Sequence, residues 1–146
     1  MSVTQNPENG RAYALINYKG GTAADLSGGD NTSIIGYDYH GGENQQWIFE
    51  QHDGAWLLRN KSQYDKTLQV AGNSLQAGDG VIAVEHAGQP TLWDVEPADD
   101  NTVILKVHGH GYVLDLSDHG NSTPGTAVAV YGNWGGENQR WRLTEA

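Results

Sequence analysis

The feature that most constrains this chain is a tryptophan that recurs in the same local setting at near-equal intervals. Trp47, Trp93 and Trp141 lie 46 and then 48 residues apart, and the eight-residue segments that end on them align without a gap. Three near-equal copies in a chain of 146 residues indicate a threefold internal repeat whose units share one core. We therefore predict a single domain, residues 1–146, made of three repeats at about residues 10–52, 53–99 and 100–146.

The composition excludes several classes of protein and of site. The chain has no cysteine, so neither disulfides nor thiolate metal sites are available. Its formal charge of −10 disfavours nucleic acid as a partner, because phosphate binding needs clustered lysine and arginine. No apolar run approaches the roughly 20 residues of a membrane helix, and residues 1–7 lack the basic-then-apolar pattern of a secretory signal. We expect a cytoplasmic protein that does not insert into membranes.

Short apolar runs bounded by glycine, asparagine, aspartate or proline predict an all-β domain. Each repeat begins with an opening strand, predicted at residues 13–17, 56–60 and 103–107. A short second strand follows, with a polar residue between apolar ones, then a third apolar strand and a fourth that contains the tryptophan. Four strands in each repeat make twelve, and closing them into a barrel removes exposed sheet edges. The tryptophans are predicted to pack in the shared core.

The three copies differ in their polar residues. The second strands carry Asp25, Gln69 and Asp115 at matching places. The turn before the tryptophan contains Gly-Gly-Glu-Asn-Gln in the first and third copies, whereas the second copy has Pro90-Thr91 in place of Asn-Gln. The aspartate and the Asn-Gln pair are thus kept together or lost together. This coupled loss favours a shared functional role over the alternative, in which each aspartate only caps a turn.

The Gln-x-Trp elements Gln45-Gln46-Trp47 and Gln139-Arg140-Trp141, each downstream of an Asp-bearing strand, resemble those of the ricin B-type lectin family, especially its small, cysteine-free fungal members. The resemblance covers about residues 10–145. It implies a β-trefoil with twelve strands in three pseudo-threefold repeats, one possible sugar site per repeat, and neither catalysis, cofactor nor metal. It also implies glycans and glycoconjugates as partners, terminal galactose or N-acetylgalactosamine as the sugar, and a defensive role. A homodimer is an open alternative to a monomer.

The resemblance further implies which residues line a site. In the first repeat these are Asp25, Tyr37, His40, Asn44 and Gln45. In the third repeat they are Asp115, Tyr131, Trp134, Asn138 and Gln139. An ionised carboxylate accepts hydrogen bonds from two neighbouring hydroxyls, an asparagine amide both donates and accepts, and an aromatic face covers the C–H patch of a sugar ring. We expect the two glutamines to hold the aspartates in place.

One departure from the family pattern bears on specificity. Many plant members have a glutamine two residues before the stacking aromatic, but Ile35 and Ala129 stand at those positions in this chain. The usual set of galactose contacts is therefore incomplete. We expect His40 and Trp134, in the two glycine turns, to compensate. Because these two side chains differ in size and in hydrogen-bonding groups, the two sites should differ in affinity.

The second repeat departs further. Its aromatic position is Ala83, although His86 is retained, and we predict that its site is lost or altered. The site residues of the other repeats also have purely structural interpretations. His40 would then be a solvated turn histidine, and Tyr37 and Tyr131 would be strand-packing residues.

Other functions have weaker support in the sequence. The histidines of residues 108–110, with His119, follow no common spacing of metal ligands. Glu43 and Glu137 recur and, with Asp25 and Asp115, suggest the carboxylate pair of a glycosidase. The two glutamates lie in open glycine turns where nothing evident would desolvate a carboxyl group, so we expect no enzyme. A β-trefoil protease inhibitor, acting through an exposed loop such as residues 117–126, is the main alternative function.

Overall fold

A computed structural model describes residues 2–72, 74–85 and 88–146. The strands of the described residues are β1 (Val3–Thr4), β2 (Ala12–Asn17), β3 (Ala23–Leu26), β4 (Ile34–Tyr37), β5 (Trp47–His52), β6 (Ala55–Asn60), β7 (Thr67–Val70), β8 (Val81–Val84), β9 (Trp93–Ala98), β10 (Thr102–Val107), β11 (Tyr112–Leu116), β12 (Thr126–Gly132) and β13 (Trp141–Glu145). Two 3-10 turns, Glu43–Gln45 and Glu137–Gln139, and two turns with left-handed residues, Asp99–Asn101 and Ser117–Gly120, join them. No helix in the described ranges is long and apolar enough to cross a membrane.

Six of the strands close into a barrel. The first and fourth strands of each repeat pair antiparallel in an unbroken ring that runs β2, β5, β6, β9, β10, β13 and back to β2. The second and third strands of each repeat form a hairpin: β3–β4, β7–β8 and β11–β12. A six-stranded barrel capped by three hairpins is a β-trefoil, so the predicted fold, twelve strands in three pseudo-threefold repeats, is confirmed.

One further strand lies outside the predicted twelve. β1 pairs antiparallel with β13, and the side-chain amide of Gln5 then donates to the carbonyl oxygens of Ala98 (2.8 Å) and Thr102 (2.9 Å). The N-terminal segment therefore fastens the last strand of the chain to the connection between β9 and β10. A strand of two residues is too short to show an alternating pattern, which is why the sequence does not reveal it.

The three repeated tryptophans fill the core, as expected. Trp47, Trp93 and Trp141 are fully buried. Their indole N–H groups donate to the carbonyl oxygens of equivalent residues in the second strands, at 3.0, 3.0 and 3.1 Å; these acceptors are Ala24, Leu68 and Leu114. A buried indole needs such a partner, because an unpaired N–H in the core is costly. Each acceptor immediately precedes the polar residue of its strand, so the core fixes the strand that carries that residue.

The three hairpins also contact one another. β4 pairs with β12, and two single bridges, Ser33↔Ile82 and Gly80↔Ala129, connect the remaining neighbours. The hairpins thus form a closed cap around the pseudo-threefold axis. Their positions relative to the barrel are fixed from both sides, by the cap and by the tryptophans beneath.

Candidate functional site

In the third repeat, a buried carboxylate is held by two amides. Asp115 lies on β11 with 3% of its surface exposed. Its Oδ1 accepts from the Asn138 amide (3.0 Å) and its Oδ2 from the Gln139 amide (2.9 Å). Gln139 also donates to the carbonyl of Gly132 (2.9 Å), and its Oε1 accepts the backbone N–H of Trp134 (3.1 Å). One glutamine therefore links the aspartate, the end of β12 and the turn that carries Trp134.

The first repeat has the same arrangement around its glutamine. The Gln45 amide donates to Asp25 Oδ2 (2.8 Å) and to the carbonyl of Asp38 (2.8 Å), and Gln45 Oε1 accepts the backbone N–H of His40 (2.9 Å). Asn44 donates to the carbonyl of Leu26 (3.2 Å), as Asn138 does to Leu116 (3.1 Å). Gln45 and Gln139 thus occupy the aspartate-holding positions expected from the sequence.

Burial and hydrogen bonding act on these carboxylates in opposite directions. Burial raises the pKa of both Asp25 and Asp115 above the ordinary value, while the amides of Gln45 and Gln139 lower it again by bonding to the ionised form. A carboxylate has about four acceptor positions, so one that receives two amide N–H groups can still accept from ligand hydroxyls. Each aspartate is therefore an oriented acceptor for a ligand with neighbouring hydroxyls.

The tyrosines lie on the same face of the sheet as the aspartates. Asp25 pairs with Ile35 across the β3–β4 hairpin, and Tyr37 follows two residues later on that face. Asp115 pairs with Ala129 across β11–β12, and Tyr131 follows in the same way. Tyr37 is 43% exposed and Tyr131 39% exposed, which does not suit the strand-packing interpretation. Each carboxylate therefore has an exposed aromatic ring as its diagonal neighbour.

The glycine turns bring His40 and Trp134 over their own backbone. Gly41 and Gly135 have left-handed φ values of 79° and 78°, which glycine adopts without strain. The next glycine, Gly42 or Gly136, serves close approach instead, because a Cβ there would collide with the ring of His40 or Trp134. Trp134 is 63% exposed, so its ring is free to contact a ligand.

A cleft of about 310 Å³ opens above the third-repeat carboxylate. Four of the predicted residues line it: Asp115, Tyr131, Trp134 and Asn138. Three further lining residues were not predicted for this site: Ser117, Asp118 and His119. Asp118 and His119 both have a left-handed φ of 55°, which is uncommon outside glycine and often marks a functional position. The greater length of the third repeat in this loop was the one signal of them in the sequence.

A second unpredicted element supports each site from the following repeat. The Asn17 side-chain amide, at the end of β2, donates to the carbonyl of Asn138 (2.9 Å), and Asn60, at the end of β6, donates to that of Asn44 (3.1 Å). The equivalent residue at the end of β10 is Val107, which follows the repeat without a carboxylate. Asparagine recurs as the last residue of β2 and β6, but nothing in the local sequence connects it with the turn that it supports.

In the second repeat the corresponding polar groups bond within the protein. The Gln69 amide donates to Thr67 Oγ1 (3.0 Å) and to the carbonyl of Val84 (3.2 Å). Thr91 Oγ1 accepts the backbone N–H of Val70 (3.1 Å). Ala83, at the aromatic position, is buried. His86 lies outside the described residues.

The structure also bears on three other candidate functions, namely metal binding, glycoside cleavage and protease inhibition. Across residues 2–72, 74–85 and 88–146, no three His, Cys, Asp or Glu side chains group as a metal site would. Glu43 and Glu137 are more than half exposed, each with a lysine ammonium 4.0 Å away, rather than desolvated as a glycosidase acid would be. In the loop 117–126, Asn121 donates to Asp118 (2.8 Å), and Asp118 and His119 line the cleft above Asp115.

Comparison with known families agrees with the β-trefoil fold. A family model described as a ricin-type β-trefoil lectin domain-like family matches residues 2–84 and 43–131, which together span most of the chain. No curated protein matches the sequence significantly.

Three solved structures share the fold over nearly the whole chain. The ricin B-like lectin of Macrolepiota procera, solved in complex with lactose, is 38% identical, with a TM-score of 0.89 and coverage of 97% of this chain and 99% of that one. ThreeFoil, a designed threefold-symmetric protein, is 29% identical, with a TM-score of 0.84 and coverage of 92% and 99%. The Rhizoctonia solani agglutinin is 26% identical, with a TM-score of 0.81 and coverage of 97% and 99%.

Proposed function

The chain belongs to the ricin-type β-trefoil lectin family, and on that premise we propose that it binds terminal galactose or N-acetylgalactosamine units through the first and third repeats. One observation carries the proposal. A buried, amide-held carboxylate lies diagonally across a hairpin from an exposed tyrosine, and this arrangement occurs twice, at Asp25 and at Asp115. In the second repeat, no described residue supplies a matching carboxylate.

Each part of the arrangement suits a sugar ring. The oriented carboxylate accepts from two adjacent hydroxyls, and charge-assisted hydrogen bonds of this kind are stronger than neutral ones. The exposed faces of Tyr37 and Tyr131 are available for the C–H patch of the ring, at little cost in side-chain entropy. Lactose, bound by the Macrolepiota procera lectin, carries a terminal galactose, which makes it the first ligand to test.

Single-site affinity should be weak. About a dozen heavy atoms of one sugar ring, at roughly 0.3 kcal/mol each, give about 4 kcal/mol, which corresponds to a Kd of about 1 mM. Useful binding to cell-surface glycans then comes from avidity between the two sites of one chain. We expect calorimetry to find two lactose molecules per chain; three would contradict the loss of the second site.

The test is the double variant Asp25→Asn with Asp115→Asn. Removing both charges should weaken lactose binding by at least about 10-fold at each site, because a hydrogen bond to a charged group is worth about 1.5–3 kcal/mol. The matched control is Asp53→Asn with Asp65→Asn, which makes the same change in net charge at two exposed positions. A folded double variant that binds lactose as tightly as the unaltered protein would overturn the site assignment.

The structure gives no specific observation in favour of a protease inhibitor. The residues of the candidate loop that are best placed for contacts, Asp118 and His119, face the third-repeat cleft. We therefore assign them to ligand binding. Absence of protease inhibition by the folded protein is the corresponding expectation.

A further inference from the structure

Trp134 stands between two clefts. The first is the cleft above Asp115 described earlier. The second, of about 350 Å³, is lined by Lys19, Gly135, Gly136 and Glu137, and Trp134, His119 and Asn138 line both. Because three side chains are shared, the two clefts adjoin, with the indole between them.

The second cleft has the chemistry to bind a neutral polyol. The Lys19 ammonium and the Glu137 carboxylate lie 4.0 Å apart, and each side chain is 54% exposed, so both stay available to a ligand. One supplies donors and the other acceptors, as neighbouring hydroxyls require. The indole of Trp134 adds an apolar wall for C–H groups.

Two chain segments that are far apart in sequence form this cleft and hold each other in place. Gly120 has a left-handed φ of 78°, and a Cβ on it would collide with the stem of Lys19. A Cβ on Gly20 would lie 2.8 Å from the carbonyl oxygen of Gly120. The turn after β2 and the loop after β11 are therefore in direct backbone contact, and Lys19 is placed beside the third-repeat site without any rearrangement.

The first repeat lacks part of this arrangement. Ser27 and Ser117 occupy equivalent places, since each carbonyl accepts the N–H of the asparagine four residues later. In the third repeat Asp118-His119 follows the serine, whereas Gly28-Gly29 follows it in the first. The first repeat does retain a lysine near its turn glutamate, with Lys61 4.0 Å from Glu43. The wall formed by His119 is therefore specific to the third repeat.

We propose that the third repeat binds a disaccharide, with the terminal galactose unit above Asp115 and a neutral second ring on the Lys19 side of Trp134. The inference rests on the proposed function, because it places the first ring in the galactose site. It assigns Lys19, contributed by the first repeat, as a specificity-determining residue for the second ring. The first repeat has a lysine–glutamate pair as well but neither Trp134 nor His119, so the third repeat would then prefer extended glycans and the first repeat single terminal units.

The test uses the full chain with Asp25→Asn, so that only the third repeat reports. Calorimetry compares methyl β-galactoside with the β1,3- and β1,4-linked disaccharides of galactose and N-acetylglucosamine. At least one disaccharide should bind about 10-fold more tightly than the monosaccharide. Lys19→Met, which keeps the stem that packs on Gly120 but removes the ammonium, should reduce that ratio to about 2-fold. Lys61→Met is the matched control, with the same charge change beside the disabled site.

The outcomes separate the two proposals. If methyl β-galactoside binds but neither disaccharide gains more than about 2-fold, the second ring has no site and this inference is wrong. The inference is also wrong if Lys61→Met lowers the ratio as much as Lys19→Met does, since the effect would then be one of overall charge. If no galactoside binds to this chain, in which Asp115 is intact, the third-repeat site of the proposed function is itself overturned.

Discussion

At the scale of single residues, Asp25 and Asp115 join two demands that usually conflict. Each is almost closed off from solvent, and each would accept best from the hydroxyls of the proposed sugar when it is ionised. The amides of Gln45 and Gln139 reduce the conflict by bonding to the ionised form, but burial still raises the pKa of both carboxyls. The result is an acceptor with a fixed direction, whose buried charge lowers the free energy of unfolding.

Replacing one of these carboxylates should separate binding from stability. Between the ordinary pKa of 3.8 and the raised pKa of Asp115, the folded protein binds more protons than the unfolded chain, so its free energy of unfolding falls as pH rises. At neutral pH the ionised Asp115 therefore costs stability. Asp115→Asn keeps the shape but turns its new N–H group toward one of the two amide donors, Asn138 or Gln139. We therefore expect it to weaken third-repeat binding and to change the free energy of unfolding by no more than about 1 kcal/mol, because the lost hydrogen bond offsets the relief of the buried charge. Urea unfolding and calorimetry at pH 7 test this, and a loss of more than about 1 kcal/mol would contradict it.

Sugar binding should weaken at mildly acidic pH. A protonated carboxyl group accepts less well, so affinity for lactose falls as pH decreases through the raised pKa of Asp25 and Asp115, with a midpoint above 3.8. The same protonation removes the free-energy cost of burying the charge. Titration of these two groups should therefore not unfold the protein over this pH range. Calorimetry from neutral pH downwards, with circular dichroism at each point, measures both. A midpoint at or below 3.8 would show that burial does not govern these groups.

At the scale of elements, each candidate site depends on the first strand of the next repeat around the barrel. Asn17 at the end of β2 supports the turn of the third repeat, and Asn60 at the end of β6 supports that of the first. At the equivalent position, the end of β10, the residue is Val107, which has no side-chain amide. The altered second repeat is therefore matched by a change in its neighbour.

This support predicts effects that cross repeat boundaries. Asn17→Ala leaves the buried carbonyl of Asn138 unpaired, and we expect a cost of about 1–3 kcal/mol in the free energy of unfolding. It should also weaken third-repeat binding while first-repeat binding is kept, and Asn60→Ala should do the reverse. Calorimetry of each alanine variant, combined with Asp25→Asn or with Asp115→Asn, distinguishes the two sites. Equal effects on both sites would indicate general loosening of the barrel instead.

The parts of the structure that the sequence reveals are those that repeat. The tryptophans, the aspartates and the Asn-Gln pairs recur at fixed spacing. The candidate sites of the first and third repeats stand out because the second copy lacks both the aspartate and the Asn-Gln pair. The support from Asn17 was not evident, because its partner lies in another repeat and no local pattern connects them. The place of His119 in the cleft depends on two consecutive left-handed residues, a conformation that side-chain type alone does not signal.

At the scale of the whole molecule, the barrel depends equally on all three repeats, whether or not they bind sugar. Trp93 lies in the repeat without a carboxylate, yet it is fully buried and bonds to Leu68 as its counterparts bond in their own repeats. Trp93→Ala should therefore lower the free energy of unfolding by about 3–5 kcal/mol. The affinity for lactose, measured on folded protein, should change little. Urea unfolding monitored by circular dichroism checks the magnitude, and a cost below about 1 kcal/mol would mean that the second repeat is not part of the common core.

The hydrogen bond from Asn17 also bears on the order in which the two candidate sites can form during synthesis. The bond between Asn60 and Asn44 spans 16 residues, whereas that between Asn17 and Asn138 spans 121. As the chain leaves the ribosome, the hydrogen-bonded residues of the first site have all been synthesised by residue 60, and only the pairing of its hairpin with β12 comes later. The third site needs both ends of the chain, so it can assemble only after synthesis is nearly finished and the ring of strands has closed. Binding at the proposed third site would therefore report directly that the entire polypeptide has folded.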